Sequence, residues 1–175
     1  MPIHAMIDLE TLDVKPGATV LTVGGVKFDP TSDAEPHSEF YYKLDIDSQD
    51  RSVNDSTIAW WGTQDPKVQE EAFGTEGREH MDVFLDSLPK WMVGVDVLWG
   101  HGYGFDITIM EDMLRQRNKP IPWQFWQVRD SRTLFACMKV DPRKSMQSDL
   151  HNALADAYFQ AKGVQMAYKE LGIGK

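Results

Sequence analysis

Apolar residues fall first in short runs and later at helical spacing, and this change of period divides the chain. Residues 3–9 (IHAMIDL), 20–28 (VLTVGGVKF) and 39–46 (EFYYKLDI) predict three strands. Gly24-Gly25 marks a bulge or bend in the second, and the polar stretch 29–38 is a turn. These three predict an antiparallel meander, followed by a polar loop over 45–55.

Helical patterns then take over. Asp55 or Ser56 is placed to cap a short helix through Trp60 and Trp61, and Pro66 to open another over 66–73. A longer helix is predicted over 76–92, with Met81, Phe84, Leu85 and Leu88 inward and Pro89 ending or kinking it. DVLWGHG (96–102) reads as a buried strand, 105–117 as a helix with Ile109, Met110, Met113 and Leu114 inward, and 130–138 as a short helix. The last helix starts near 150 with the stripe Leu150, Leu154, Ala157, Ala161, Val164, Tyr168 and Leu171. Val128 starts or adjoins a short fifth strand. Strands followed by helices alternating with strand predict an α/β fold, a mixed central sheet of about five strands flanked by helices.

At 175 residues and 42% hydrophobic content, the chain fits a single domain, 1–175, with a core of its own. Cys137 is the only cysteine, which excludes an intrachain disulfide; it reads as a small buried apolar residue, and a reducing, cytoplasmic setting is expected. No signal peptide or membrane span is expected. The net charge of −9, taken as a whole, argues against a nucleic-acid partner. Its distribution changes that picture. Residues 1–114 carry −15, whereas residues 115–144 carry +6 from Arg115, Arg117, Lys119, Arg129, Arg132, Lys139, Arg143 and Lys144 against Asp130 and Asp141. Such a segment can attract phosphates, or can simply be a solvated charged face.

Asp8 and Glu10 stand two apart in the first strand, so both point to one side while Ile7 and Leu9 point to the other. Close carboxylates raise each other's pKa, and a hard divalent cation such as Mg²⁺ or Mn²⁺ resolves the conflict. Asp45 and Asp47 share the spacing but lack an apolar frame and read as surface. Asp106 follows the Gly-rich turn GHGYGFD, where it is either a site residue or a plain helix cap, with Phe105 anchoring the turn. Asp156 flanks the stripe of the last helix. His151, five residues earlier, would lie about 140° away on a continuous helix, so the two converge only if His151 sits at or before the helix start. The polar run 141–149 is suited to a loop there.

In order, DLETL (8–12), WGHGYGFDITIM (99–110) and HNALADA (151–157) resemble the three motifs of the DnaQ-like (DEDDh) 3′→5′ exonuclease superfamily. Histidine five before the last Asp, with Asn152 where the Tyr branch carries tyrosine, matches the His-containing branch. TIAWWGTQDP (57–66), WGHGYGFD and RDSRTL (129–134) resemble RNase T-like and phage DexA-type exonucleases, and the likeness covers roughly residues 3 to 168.

The resemblance implies an RNase H-like fold and hydrolysis with two divalent cations, Mg²⁺ or Mn²⁺, on Asp8, Glu10, Asp106 and Asp156, with His151 as general base. The implied substrate is single-stranded or 3′-tailed nucleic acid with a free 3′ end, DNA or RNA, shortened one nucleotide at a time. Homodimerisation is an implied partner state. Candidate substrate contacts are Thr11, Leu12, His101, Phe105, Trp61, Trp123, Trp126, Arg129 and Arg132. Trp123 and Trp126, beside a polar loop, are expected to be exposed and to stack on bases, Trp60 and Trp61 to pack in the core. Trimming of RNA 3′ ends is the rival activity. A catalytically idle nucleic-acid-binding module is disfavoured because all five catalytic positions are present, and a structural metal domain because the ligands are scattered hard oxygens.

Overall fold

Period-two alternation in β1 (His4–Thr11) sends Ile7 and Leu9 to one face and Asp8 and Glu10 to the other. The computed structural model describes residues 2–146 and 151–174. β1 pairs antiparallel with β2 (Val20–Phe28), which sets Asp8 opposite Gly24 and Glu10 opposite Thr22. β2 pairs antiparallel with β3 (His37–Leu44), completing the meander. β4 (Arg78–Glu79) joins β3 in parallel, and β5 (Val97–Gly100) and β6 (Val128–Asp130) extend the other side in parallel. The order is β4-β3-β2-β1-β5-β6. The predicted sheet of about five strands therefore has six, because Arg78–Glu79 is a two-residue strand too short to leave a pattern.

Six α-helices surround the sheet among the described residues: α1 (Asp55–Gly62), α2 (Pro66–Phe73), α3 (Met81–Trp91), α4 (Asp106–Gln116), α5 (Ser131–Ala136) and α6 (Ala153–Leu171). Ile7, Leu9, Phe84, Leu88, Ile109 and Met113 share one core with α3 and α4. Met6, Val26, Trp99, Phe135, Ala161 and Val164 share a second with α5 and α6. Each large aliphatic or aromatic side chain so buried contributes about 1.5–3 kcal/mol.

Caps explain where several boundaries fall. Asn54 caps α1 through Ser56 N–H, and His80 caps α3, so that helix starts at Met81, not near 76. Pro89 lies inside α3, which ends two residues later at Trp91. An asparagine caps α6 as well: the Asn152 side chain accepts from Ala155 N–H and delays the start to Ala153. The predicted start near 150 and Leu150 fall outside the described residues, as does 147–149 of the predicted loop. Within that loop, Pro142–Ser145 forms a turn of 3-10 helix. Cys137 is exposed, contrary to its apolar reading, because it follows the short α5. Trp123 is 4% exposed, not free to stack: its indole folds back to α4 and donates to Glu111 at 3.0 Å. No described helix is long and apolar enough to cross a membrane.

Gly24 decides how close α6 comes. A Cβ there would lie 2.3 Å from the backbone nitrogen of Leu154 and 2.5 Å from the carbonyl carbon of Ala153. Only a bare backbone lets the first turn of α6 rest on β2 opposite Asp8. Gly24→Ala should therefore push that turn outward and cost about 1–3 kcal/mol of stability, the scale of core overpacking. Urea unfolding checks this; an unchanged midpoint would mean that the contact does not hold α6.

Candidate active site

Three elements converge on the polar face of β1. The strand itself supplies Asp8 and Glu10, the first residue of α4 supplies Asp106, and the first turn of α6 supplies Asp156. Phe105 takes the cap position of α4 without a side-chain cap bond, so Asp106 is not the helix cap considered from sequence. Its carboxylate instead reaches β1, accepting from Leu9 N–H at 3.1 Å and from the backbone of His101.

Burial and mutual repulsion dominate the electrostatics. Burial, then Asp106, Glu10 and Asp156, push Asp8 well above the usual carboxylate range. Burial raises Glu10 likewise, with Asp156 and Asp106 adding to it. Burial pushes Asp106 up to about 8, against the opposing pull of its backbone donors and Arg132. Asp156 rises to about 6 through burial, moderated by a hydrogen bond with Glu10 and by the backbone of His151. Without a cation, burial and repulsion thus favour the protonated carboxyls, with Asp156 the most readily ionised of the four.

His151 lies two residues before α6 begins, the arrangement its convergence with Asp156 requires. Its backbone is left-handed, φ 67°. Ligand atoms of Glu10, His151 and Asp156 all lie within 4.8 Å of one another. Burial lowers the His151 pKa, favouring the neutral imidazole that can accept a proton.

A cavity of about 400 Å³ opens beside Glu10, lined by Leu9, Thr11, Val14, Ser56, Thr57, Trp60, Trp61 and Phe105. Three of the substrate candidates, Thr11, Trp61 and Phe105, are here; Leu12 is buried beneath, in a cluster with Trp61. Trp61 is 2% exposed and donates to the Thr11 carbonyl at 2.9 Å, so it supports the wall, while its neighbour Trp60 is 43% exposed. The core packing expected of Trp60 and Trp61 thus holds only for Trp61.

The remaining candidates separate. His101 is buried, shares a 2.9 Å hydrogen bond with Ser131 Oγ, and is lowered to about 4 by burial and then by Arg143 and Arg132. It stays neutral and braces the backbone that feeds Asp106. Arg132 lies beside Gly102, within reach of the cluster's field. Arg129 and the exposed Trp126 sit at or before β6, and Arg129 donates back to the Trp126 carbonyl at 2.7 Å. Much of the basic segment is already paired: Arg115 with Glu111, Arg117 with Asp82, Lys119 with Asp86 and Arg143 with Asp141. Arg129, Arg132, Lys139 and Lys144 make no ion pair among the described residues.

Sequence reading missed Gln160. It stands one turn beyond Asp156 on α6, the (i, i+4) position that shares its face. Its carboxamide stands close enough to Asp8 to oppose the rise of that carboxyl's pKa, and its Oε1 is buried with no partner among the described residues. That spacing was the available signal.

The raised carboxylates make stability depend on pH. The folded chain keeps protons that the unfolded chain releases near pH ~4, so cation-free stability should fall as pH rises from ~4 through about 8. Asp8→Asn removes one charge and should raise the cation-free melting temperature at pH 8 while flattening this decline. Calorimetry of both proteins from pH 5 to 8 checks it; a lower melting temperature for Asp8→Asn would contradict the repulsion.

Known proteins bear on this geometry. No curated protein sequence matches the chain. An exonuclease I structure superposes with a TM-score of 0.72 at 13% identity, covering 98% of this chain and 42% of that one. The chain thus spans less than half the length of that enzyme. The nuclease domain of 3′hExo, a DEDDh family member bound to rAMP, gives 0.62 at 12% identity, covering 95% and 92%. Pop2p of S. pombe, in a form binding Mg²⁺ and Mn²⁺, gives 0.65 at 14%, covering 98% and 85%. These likenesses establish the DnaQ-like, RNase H-like fold. The profile of the 3′-5′ exoribonuclease Rv2179c-like domain matches residues 3–168, nearly the whole described chain. The chain belongs to the Rv2179c-like 3′-5′ exoribonuclease domain family.

Proposed function

We propose that this protein is a divalent-cation-dependent 3′→5′ exonuclease that shortens single-stranded or 3′-tailed nucleic acid, with RNA the favoured substrate. One observation carries the reading: four carboxylates from three elements are gathered into one largely buried cluster, and one of them, Glu10, also lines a cavity of about 400 Å³. Such a cluster is costly without cations and well matched to hard ones. The description of the family favours RNA.

The donor set fits two cations, Mg²⁺ or Mn²⁺. Asp8, Glu10, Asp106 and Asp156 would hold them. When bound, cations in such a site supply charge stabilisation for the attacked phosphate and for the departing 3′-oxygen. The chain's own residues do the rest. The cavity formed by Thr11, Trp60, Phe105 and their neighbours seats the terminal nucleoside. Arg132 offers its guanidinium to a phosphate. His151 accepts the proton of the attacking water on its ring, which its lowered pKa leaves unprotonated at neutral pH. The proximity of His151 to Glu10 and Asp156 also suits a ligand. Mg²⁺, however, prefers oxygen, and four carboxylates already supply it. Homodimerisation remains part of the proposal on the strength of the family resemblance.

Digestion of 5′-labelled, 3′-tailed RNA and DNA side by side with Mn²⁺ or Mg²⁺ should give a ladder shortening from the 3′ end, faster on RNA, and nothing in excess chelator. Activity in chelator, or early release of the labelled 5′ nucleotide, would overturn the assignment. His151→Ala should lower kcat by about 10²–10⁴-fold, the usual scale of general-base loss. Cation affinity, measured by titration calorimetry, should stay nearly constant. A fall in affinity proportional to the fall in rate would make His151 a ligand instead.

A further inference from the structure

We propose that Trp60 is the positioning residue for His151, so that one indole both walls the nucleotide cavity and sets the place of the general base. The inference rests on the exonuclease reading above and extends it to the motif TIAWWGTQDP, whose Trp60 that reading uses only as a wall of the cavity.

The contacts form a chain from the metal-binding strand to the histidine. Thr11 follows Glu10, and its carbonyl accepts from the buried Trp61 indole at 2.9 Å. Trp61 meets Trp60 edge to face, with ring centroids 5.0 Å apart and planes at 74°. Trp60 in turn meets the His151 imidazole edge to face, at 4.8 Å and 84°. Trp61 lies farther from that imidazole, at 6.2 Å. Such edge-to-face pairs are the favoured geometry of aromatic rings.

His151 needs this support. Its left-handed backbone, φ 67°, is a conformation that a residue with a Cβ adopts only at a cost. Its main chain is tied to the Asp156 carboxylate. The imidazole itself makes no hydrogen bond among the described residues, so its orientation depends on packing, and Trp60 is the nearer of the two indoles. Trp60 is not needed to fill the core: it is 43% exposed, and the cluster of Leu12, Leu21, Trp61 and Ala72 is complete without it. It does line the cavity with Glu10, Thr11 and Phe105. A nucleoside entering that cavity therefore meets the same indole that fixes the imidazole.

Trp60→Ala and Trp60→Phe, each with and without His151→Ala, test this through kcat and KM on a 3′-tailed RNA with Mn²⁺. Misplacing a catalytic group by about 1 Å can cost ~10²-fold, so Trp60→Ala should lower kcat by roughly that factor. Trp60→Phe keeps an aromatic ring there and should restore most of it. In the His151→Ala background, Trp60→Ala should change kcat by no more than about twofold, because residues acting as a unit are not additive. NMR of the cation-free protein gives a readout independent of activity: the His151 ring-proton signals should shift in Trp60→Ala as the indole ring current is lost. An equal kcat loss with and without His151, a change in KM alone, or unmoved imidazole signals would each overturn the proposal. If His151→Ala alone leaves kcat intact, the base assignment fails, and this inference fails with it.

Discussion

Mutual repulsion among Asp8, Glu10, Asp106 and Asp156 is the constraint around which the molecule is arranged. Left to themselves, these groups would separate into water. Strand geometry, a helix start and one bare glycine keep them together. Asp8 and Glu10 cannot turn away from each other, because Ile7 and Leu9 occupy the opposite face in the core. Asp106 is tied to the β1 backbone through Leu9 N–H. Asp156 arrives because Gly24 lets α6 lie on β2 without a side chain between them. The two cores that clamp the sheet supply the energy that offsets the electrostatic cost. Active sites commonly carry strain of this kind, held by the surrounding packing.

The same packing places the groups proposed to meet substrate. The wall of the cavity comes from α1, the end of β1, Val14 and Phe105, with Trp61 of α1 holding the Thr11 carbonyl. Farther out, Arg51 joins the β1–β2 connection to α4, donating to the carbonyls of Pro16 and Ala18 and pairing with Asp112 at 2.8 Å. The cavity wall is thereby fixed to the helix that presents Asp106. Basic residues are sparse near the cluster. Arg132 is within reach of the cluster's field, while four others of the basic segment neutralise nearby acids. An acidic chain can thus present positive charge to a phosphate without being basic overall.

Much of this was legible in the sequence, for identifiable reasons. The apolar run at 3–9 revealed the first strand, and period-two geometry then put Asp8 and Glu10 on one side of it. The steps of three and four through Ala157, Ala161 and Val164 revealed α6 and the flanking place of Asp156. The 140° between His151 and Asp156 required a break before α6, and Asn152 makes it by capping at Ala153. What pattern could not show was tertiary. Trp123 sits in a polar loop yet is buried, because Glu111 on α4 receives its indole. Arg117 counts toward the basic segment in sequence, but Asp82, 35 residues away, takes it up. β4 exists only because β3 offers it an edge. Gln160 was signalled only by its spacing from Asp156, and the fold sets it beside Asp8.

Proton release on cation binding tests the central claim most directly. If the raised carboxyls of Asp8, Glu10 and Asp106 hold protons in the cation-free protein and give them up to a cation, Mn²⁺ binding at pH 7 must expel protons. Titration calorimetry in buffers of different ionisation enthalpy counts them. At least about one proton released per protein, lost in Asp8→Asn together with tight binding, is the expected result. Binding of Mn²⁺ without proton release, or with affinity unaffected by Asp8→Asn, would contradict the account.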